Sequence, residues 1–274
     1  MLARAVVQEH LEDINDQPVF WRSAPGAGPP VLYLHGVPSN SDDWLPFLER
    51  TGGVAPDLPG FGRSGKRGDL DYSINGYARF LERFLDHVGV DRYRLVVHDW
   101  GVVGLALAQA DPARVDRLAA MNIVPFLPGY RWHRIARLWR APLVGELVMG
   151  ATTKWSLRRL SRGATVAGPL PADYVDSVWA HFDQGTQRAI LKLYRSAPPA
   201  VLAGAGARQG DIRAPALVLW GDRDPYIPAE FADATGAALG DATVRHLEDA
   251  GHWPWLDRPD VVDTVAEFLA GPDP

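Results

Sequence analysis

Along most of the chain, short apolar runs rich in β-branched residues alternate with longer amphipathic stretches. The runs at 31–34, 53–55, 95–97, 118–123 and 216–220 are short and mainly apolar, so they predict buried strands, and Val244-Arg245-His246-Leu247 adds a further strand candidate. The stretches at 77–88, 102–110, 229–239 and 261–269 place apolar residues at helical spacing. Strands that alternate with helices predict an α/β fold with a mainly parallel sheet covered on both sides. A Gly/Pro-rich stretch at 22–30 reads as a turn ahead of the first of these strands.

The pattern breaks between 126 and 208. Strand-like runs disappear, and Trp, Arg and Leu recur at helical spacing, as in Trp132, Ile135, Arg137, Leu138 and Trp139. Strand order resumes near Ala214. This segment is expected to be a helical cap inserted after the sixth strand, with 1–125 and 209–274 forming the core. The Ala/Gly run at 203–207 reads as a hinge or loop, and no internal repeat or low-complexity segment is present.

Chemistry enters at Val96-Val97-His98-Asp99-Trp100-Gly101. An apolar strand meets an Ala-rich helix here through a tight turn, which lifts its central side chain into a cleft. Gly101 supplies the lack of bulk that such a turn needs. The raised residue is Asp99, where a serine commonly stands. A serine must lose a proton before it attacks, whereas a carboxylate is already ionised at neutral pH. An attack by Asp99 therefore needs an electrophilic carbon with a leaving group, and no base in the first step.

Composition narrows the setting. The chain has 274 residues, enough for a large core, and its formal net charge of −5 argues against nucleic acid or an anionic membrane as partner. It has no cysteine, so disulfides, thiolate metal sites and a cysteine nucleophile are excluded. Met1-Leu2-Ala3-Arg4 does not open a leader pattern, and no apolar stretch approaches a membrane span, so a cytoplasmic location is expected.

Three further islands accompany the turn: His35-Gly36-Val37-Pro38 after the strand at 31–34, Gly221-Asp222-Arg223-Asp224-Pro225 after that at 216–220, and Gly251-His252-Trp253 after that at 244–247. The order nucleophile, acid, histidine resembles that of the α/β-hydrolases, as does the loop Asp57-Leu58-Pro59-Gly60-Phe61-Gly62-Arg63-Ser64. His-Asp-Trp-Gly at the turn is similar to the branch that holds epoxide hydrolases and haloalkane dehalogenases. The resemblance covers nearly the whole chain. It implies Asp99 as nucleophile, Asp224 as the acid (rather than Asp222) and His252 as base. It also implies the backbone N–H groups of Val37 and Trp100 as oxyanion hole. No cofactor or metal is then expected, and the substrate is a small apolar organic molecule.

The leaving group divides the branch. An opening epoxide needs an acid on its oxygen, which a tyrosine can supply, whereas a departing halide needs N–H donors. Leu193-Tyr194-Arg195 resembles the segment carrying a cap tyrosine in epoxide hydrolases, so Tyr194 is the candidate acid. Tyr130 and Tyr174 are the other tyrosines of the insertion and stand in no matching motif. Trp100 fits a halide donor, with Trp139 or Trp155 as a possible second. An epoxide hydrolase is the first expectation and a haloalkane dehalogenase the second. Attack on an activated ester, or a ligand-binding receptor on the same fold, are further alternatives, and the oligomeric state stays open. Of the remaining residues, His35 and His98 are expected to orient turns, Trp253 and Trp255 to pack, and Arg131, Arg134, Arg137 and Arg140 to form a solvated helix face.

Overall fold

The six expected strands and two more form one eight-stranded sheet in the computed structural model, which describes residues 5–271. Residues 1–4, read above for a leader, lie outside the described residues. The strands are β1 (Gln8–Asp13), β2 (Pro18–Ala24), β3 (Val31–Leu34), β4 (Gly53–Pro56), β5 (Tyr93–Asp99), β6 (Val115–Ile123), β7 (Ala216–Gly221) and β8 (Ala242–Leu247). Their spatial order is β1-β2-β4-β3-β5-β6-β7-β8. β2 pairs antiparallel with β1 and β4, and every pairing from β4 to β8 is parallel.

Successive side chains of the central strands enter opposite layers, which is why these strands read as unbroken apolar runs. Leu32, Leu34, Leu95, Val97, Leu118 and Ala120 pack into one core, while Val31, Tyr33, Val96, Ala119 and Met121 pack into the other. The first core is covered by α2 (Ile74–His87) and α3 (Val103–Ala110), the second by α1 (Leu45–Thr51) and α12 (Asp260–Leu269). The α2 helix starts three residues earlier than its apolar spacing suggests, because the Ser73 hydroxyl accepts the Gly76 N–H and caps it.

The β1–β2 hairpin was not expected, and Arg22–Ala24 belong to β2 rather than to a turn. Arg22 reads as polar loop, yet it is buried and paired with Glu9 at 2.7 Å and Asp42 at 2.6 Å. Its two carboxylate partners, distant in sequence, permit that burial.

Between β6 and β7 the chain runs through α4 (Arg134–Arg140), α5 (Val144–Gly150), α6 (Lys154–Leu160), α7 (Ala172–Ala180), α8 (Gln184–Ser196) and α9 (Pro199–Ala205). Most of the 203–207 run read as a hinge is thus the end of a helix. Pro199 starts that helix in its first turn and buried Leu202 anchors it. Arg140 departs from the solvated face assigned to it: it is half-buried and donates to the carbonyls of Tyr194 and Ala197. The chain closes with α10 (Glu230–Leu239), α11 (Pro254–Asp257) and α12. Among the described residues no helix is long and apolar enough to cross a membrane.

Candidate active site

Asp99 ends β5 with φ 49° and ψ −119°, a backbone conformation that non-glycine residues rarely adopt. Two glycines make room for it. A Cβ on Gly101 would lie 2.0 Å from the Leu34 carbonyl oxygen, and one on Gly36 would lie 2.5 Å from the Asp99 Cβ. The Asp99 side chain is buried but held at both ends. Its Oδ1 accepts the Val37 N–H at 2.8 Å, and its Oδ2 lies 3.6 Å from His252 Nε2. Burial works against the charge of Asp99, yet the neighbouring His252 and the Val37 N–H outweigh it and hold the carboxyl below its ordinary range.

His252 follows β8 and carries a carboxylate on its other nitrogen. Its Nδ1 lies 2.7 Å from Asp224 Oδ2. The second oxygen of Asp224 accepts the N–H groups of Tyr226 at 2.7 Å and Ile227 at 3.0 Å. Asp222, two residues earlier, pairs instead with His246 at 2.7 Å, a partly exposed pair. Burial disfavours a charged His252, but Asp224 and then Asp99 overcome that and raise its pKa.

Asn122 is a member of this site that the sequence reading did not find. It sits near the end of β6, donates to Asp224 Oδ2 at 2.8 Å and accepts the Gly221 N–H at 2.8 Å. Its one visible trace is a fully buried amide interrupting the apolar run of β6. His35 and His98 buttress the turns. His35 Nε2 accepts the Leu58 N–H at 2.9 Å, and His98 Nε2 donates to the His252 carbonyl at 2.7 Å. Burial, followed by the charge of His252, pushes His98 down to about 3, so it stays neutral. The 57–64 loop supports the same region. Asp57 accepts the N–H groups of Ser41 and Arg63, each at 2.7 Å, and only glycine fits at Gly62, where a Cβ would lie 2.1 Å from the Asp57 carboxylate.

Asp99, His252 and Val37 open onto one cavity whose remaining wall is largely apolar and comes mainly from the β6–β7 insertion. Tyr194 lines it from α8, packed edge-on against Trp100 with ring centroids 5.2 Å apart. Burial raises the Tyr194 pKa, and the Asp99 carboxylate raises it further, so the phenol keeps its proton. Tyr130 lines the same cavity, and its buried hydroxyl has no hydrogen-bond partner. Burial and then the charge of Asp99 likewise keep it protonated. Tyr174 and Tyr226 also line the cavity. The Tyr226 ring packs edge-on against His252, with centroids 5.1 Å apart.

The indoles divide into groups. The Trp100 N–H is buried without a partner, whereas the Trp132 N–H donates to the Ala197 carbonyl at 2.9 Å. Trp139 lines the cavity, but Trp155 is 71% exposed on α6 and faces away from it. Trp253 lines the cavity, while Trp255 packs on Trp44, Phe47 and His98. Asp43 is a further buried carboxyl, beside Ser39 and Tyr174, and burial pushes it up to about 7.

A family model described as alpha/beta hydrolase fold matches residues 29–259. A haloalkane dehalogenase from Mesorhizobium japonicum is 31% identical, over 93% of this chain and 89% of its own. Epoxide hydrolase 2 from Caenorhabditis elegans is 25% identical, over 93% of this chain and 77% of its own. Among solved structures, haloalkane dehalogenase DbeA from Bradyrhizobium elkani superposes with a TM-score of 0.83 at 26% identity, covering 97% of this chain and 98% of that one.

Proposed function

The chain belongs to the α/β-hydrolase fold family, in the branch whose nucleophile is an aspartate, and we propose that this hydrolase opens epoxides through an ester on Asp99. One observation carries the choice of substrate: two phenol hydroxyls, on Tyr194 and Tyr130, share the cavity with Asp99 and keep their protons.

The geometry supports the following roles. Asp99 Oδ1 is occupied by the Val37 N–H, which leaves Oδ2 to attack an epoxide carbon. The carbon–oxygen bond breaks, and the leaving oxygen takes a proton from Tyr194, with Tyr130 as second donor. Asp99 is now a neutral ester. At 3.6 Å, the gap between His252 Nε2 and Asp99 is wider than a direct hydrogen bond. His252, oriented by Asp224, takes a proton from a water that attacks Cγ of Asp99. The resulting oxyanion forms on Oδ1, where the Val37 N–H already points and where the backbone N–H of Trp100 completes the hole. Its collapse breaks the Cγ–Oδ2 bond, the leaving diol oxygen takes the proton from His252, and the proton left on the new carboxyl returns to Tyr194. Residues 126–208 serve as the lid over this chamber, and small apolar epoxides suit its wall.

A second reading, halide displacement, is favoured by the dehalogenase relatives and by the unpartnered indole N–H of Trp100. Of the two second donors expected for it, Trp155 lies outside the cavity and Trp139 lines it, while the N–H of Trp132 is committed to a carbonyl.

A trapping experiment decides between them. In His252→Gln, a substrate-sized mass adduct is expected to accumulate on the peptide holding Asp99. Tyr194→Phe in that background should slow adduct formation from an epoxide by about 100-fold or more and leave that from a bromoalkane nearly unchanged. Equal rates for both proteins with the epoxide, alongside a fast bromoalkane adduct, would replace the epoxide reading with the halide one. An adduct elsewhere than Asp99 would remove both.

A further inference from the structure

The surface of the insertion carries two features that neither the fold nor the reaction uses. The first is apolar. Leu143 and Leu147 are 78% and 74% exposed at the start and along one side of α5, and Trp155 is 71% exposed on α6. Leu138 on α4 and Val144 on α5 are exposed as well, and α4 packs against α5. Isolated exposed leucines are ordinary, but a run of them with a tryptophan across three successive helices is not. Leu143 also holds a positive φ of 63°, a strained backbone for a leucine, and its side chain gains no burial there.

The second feature is charge. Residues 126–166 contain seven arginines and one lysine against a single acidic residue, Glu146, although the whole chain carries a formal charge of −5. Glu146 is taken up by Arg195, and Lys154 by Asp176. Arg131, Arg134, Arg137, Arg158 and Arg162 are exposed and have no acidic partner among the described residues. On α6, Arg158 and Arg159 lie three and four positions after Trp155, on the same side of the helix, and Arg162 follows just past its end. Arg159 stacks over the Trp155 ring at 5.7 Å. The net charge that argued against an anionic membrane is thus an average over a basic lid and a strongly acidic remainder.

We propose that the face of α4–α6 carrying Leu143, Leu147 and Trp155 docks on an anionic lipid bilayer, so that apolar substrate reaches the cavity from the lipid. Exposed apolar side chains interspersed along the chain with exposed arginines, one of which stacks on Trp155, match the acyl boundary and the headgroups of such a surface. A second copy of the chain fits less well, since a symmetric contact would set two basic faces against each other. The location suits delivery. Leu160 of α6 is 48% exposed and also lines the cavity, which puts the chamber's mouth beside this face. Val148 and Thr152 line the cavity from between Leu147 and Trp155.

Cosedimentation of the full chain with vesicles tests this. Binding is expected to vesicles of mixed phosphatidylglycerol and phosphatidylcholine, at least about tenfold stronger than to phosphatidylcholine alone, and to fall as salt rises. The pair Leu143→Gln and Leu147→Gln, and separately Trp155→Gln, should each weaken that binding about tenfold or more. Arg134→Gln with Arg137→Gln and Arg158→Gln should remove the preference for anionic lipid. None of these residues lines the cavity, so turnover of a water-soluble substrate should stay unchanged in every variant. Absence of binding to the anionic vesicles, or binding indifferent to the leucine and tryptophan changes, would overturn the proposal. So would a dimer in sedimentation that the leucine changes abolish, which would assign the face to a second copy.

Discussion

His252 lies between two buried carboxylates, Asp224 at 2.7 Å and Asp99 at 3.6 Å. Burial alone would keep the imidazole neutral, so the raised pKa comes from its partners. This has a consequence for timing. While Asp99 is ionised, His252 tends to hold a proton and cannot act as a base. Once Asp99 is an ester, one of the two negative charges is gone and His252 becomes easier to deprotonate. In a pre-formed ester enzyme, hydrolysis should therefore rise with pH along a limb that lies below the pH at which His252 titrates in the free enzyme. Asp224→Asn removes the closer carboxylate, so the His252 pKa should fall in that variant, whereas Asp222→Asn should leave it in place. Imidazole titration followed by NMR reads both, and an unchanged His252 in Asp224→Asn would mean that the 2.7 Å contact does not set its charge. The positions of Asp99, Asp224 and His252 could be read from the chain because each follows an apolar strand in a short recognisable motif. Asn122 could not, because it interrupts an apolar run instead of ending one, and its partners Asp224 and Gly221 lie about a hundred positions on.

At the scale of elements, the central strands were legible because both of their faces are buried and their apolar runs are unbroken. β1 was not, since it is an edge strand with nearly every side chain exposed and the sequence Gln-Glu-His-Leu-Glu-Asp. Arg22 in β2 concealed its burial behind a charge that only Glu9 and Asp42 explain. The strand-to-helix turn after β5 is the element whose geometry is most constrained. Gly101 sits against the Leu34 carbonyl so closely that a Cβ would stand 2.0 Å from its oxygen, and this oxygen belongs to a central strand that cannot retreat. Gly101→Ala should thus destabilise the fold by about 2 kcal/mol or more, at the upper part of the range for overpacking. Thermal unfolding measures this. A melting temperature equal to that of the native chain would show that the turn can shift, and that glycine is not required there.

Across the whole molecule, the helices between β6 and β7 are held very unequally. α8 buries Ala189, Ile190, Leu191, Leu193 and Tyr194, and it is tied to the 66–68 stretch of the core. Lys192 donates to the Gly68 carbonyl, and Arg188 to that of Lys66 at 2.7 Å. Just before α8, Lys66 pairs with Asp183 at 3.0 Å. α6, by contrast, has no buried residue at all, and α5 buries only Gly145 and Met149. Few buried apolar contacts mean a small free energy of local opening. The insertion should therefore not loosen as one body. The α5–α6 side should loosen while α8 stays on the core, so that Tyr194 keeps its place against Asp99 as substrate passes. Hydrogen exchange resolved by peptide tests this. Amides of α6 are expected to exchange on a timescale at least about tenfold shorter than those of α8, with α8 approaching the protection of β5. Equal protection of α6 and α8 would mean that the insertion moves as a unit, and Tyr194 would then leave the site each time the chamber opened.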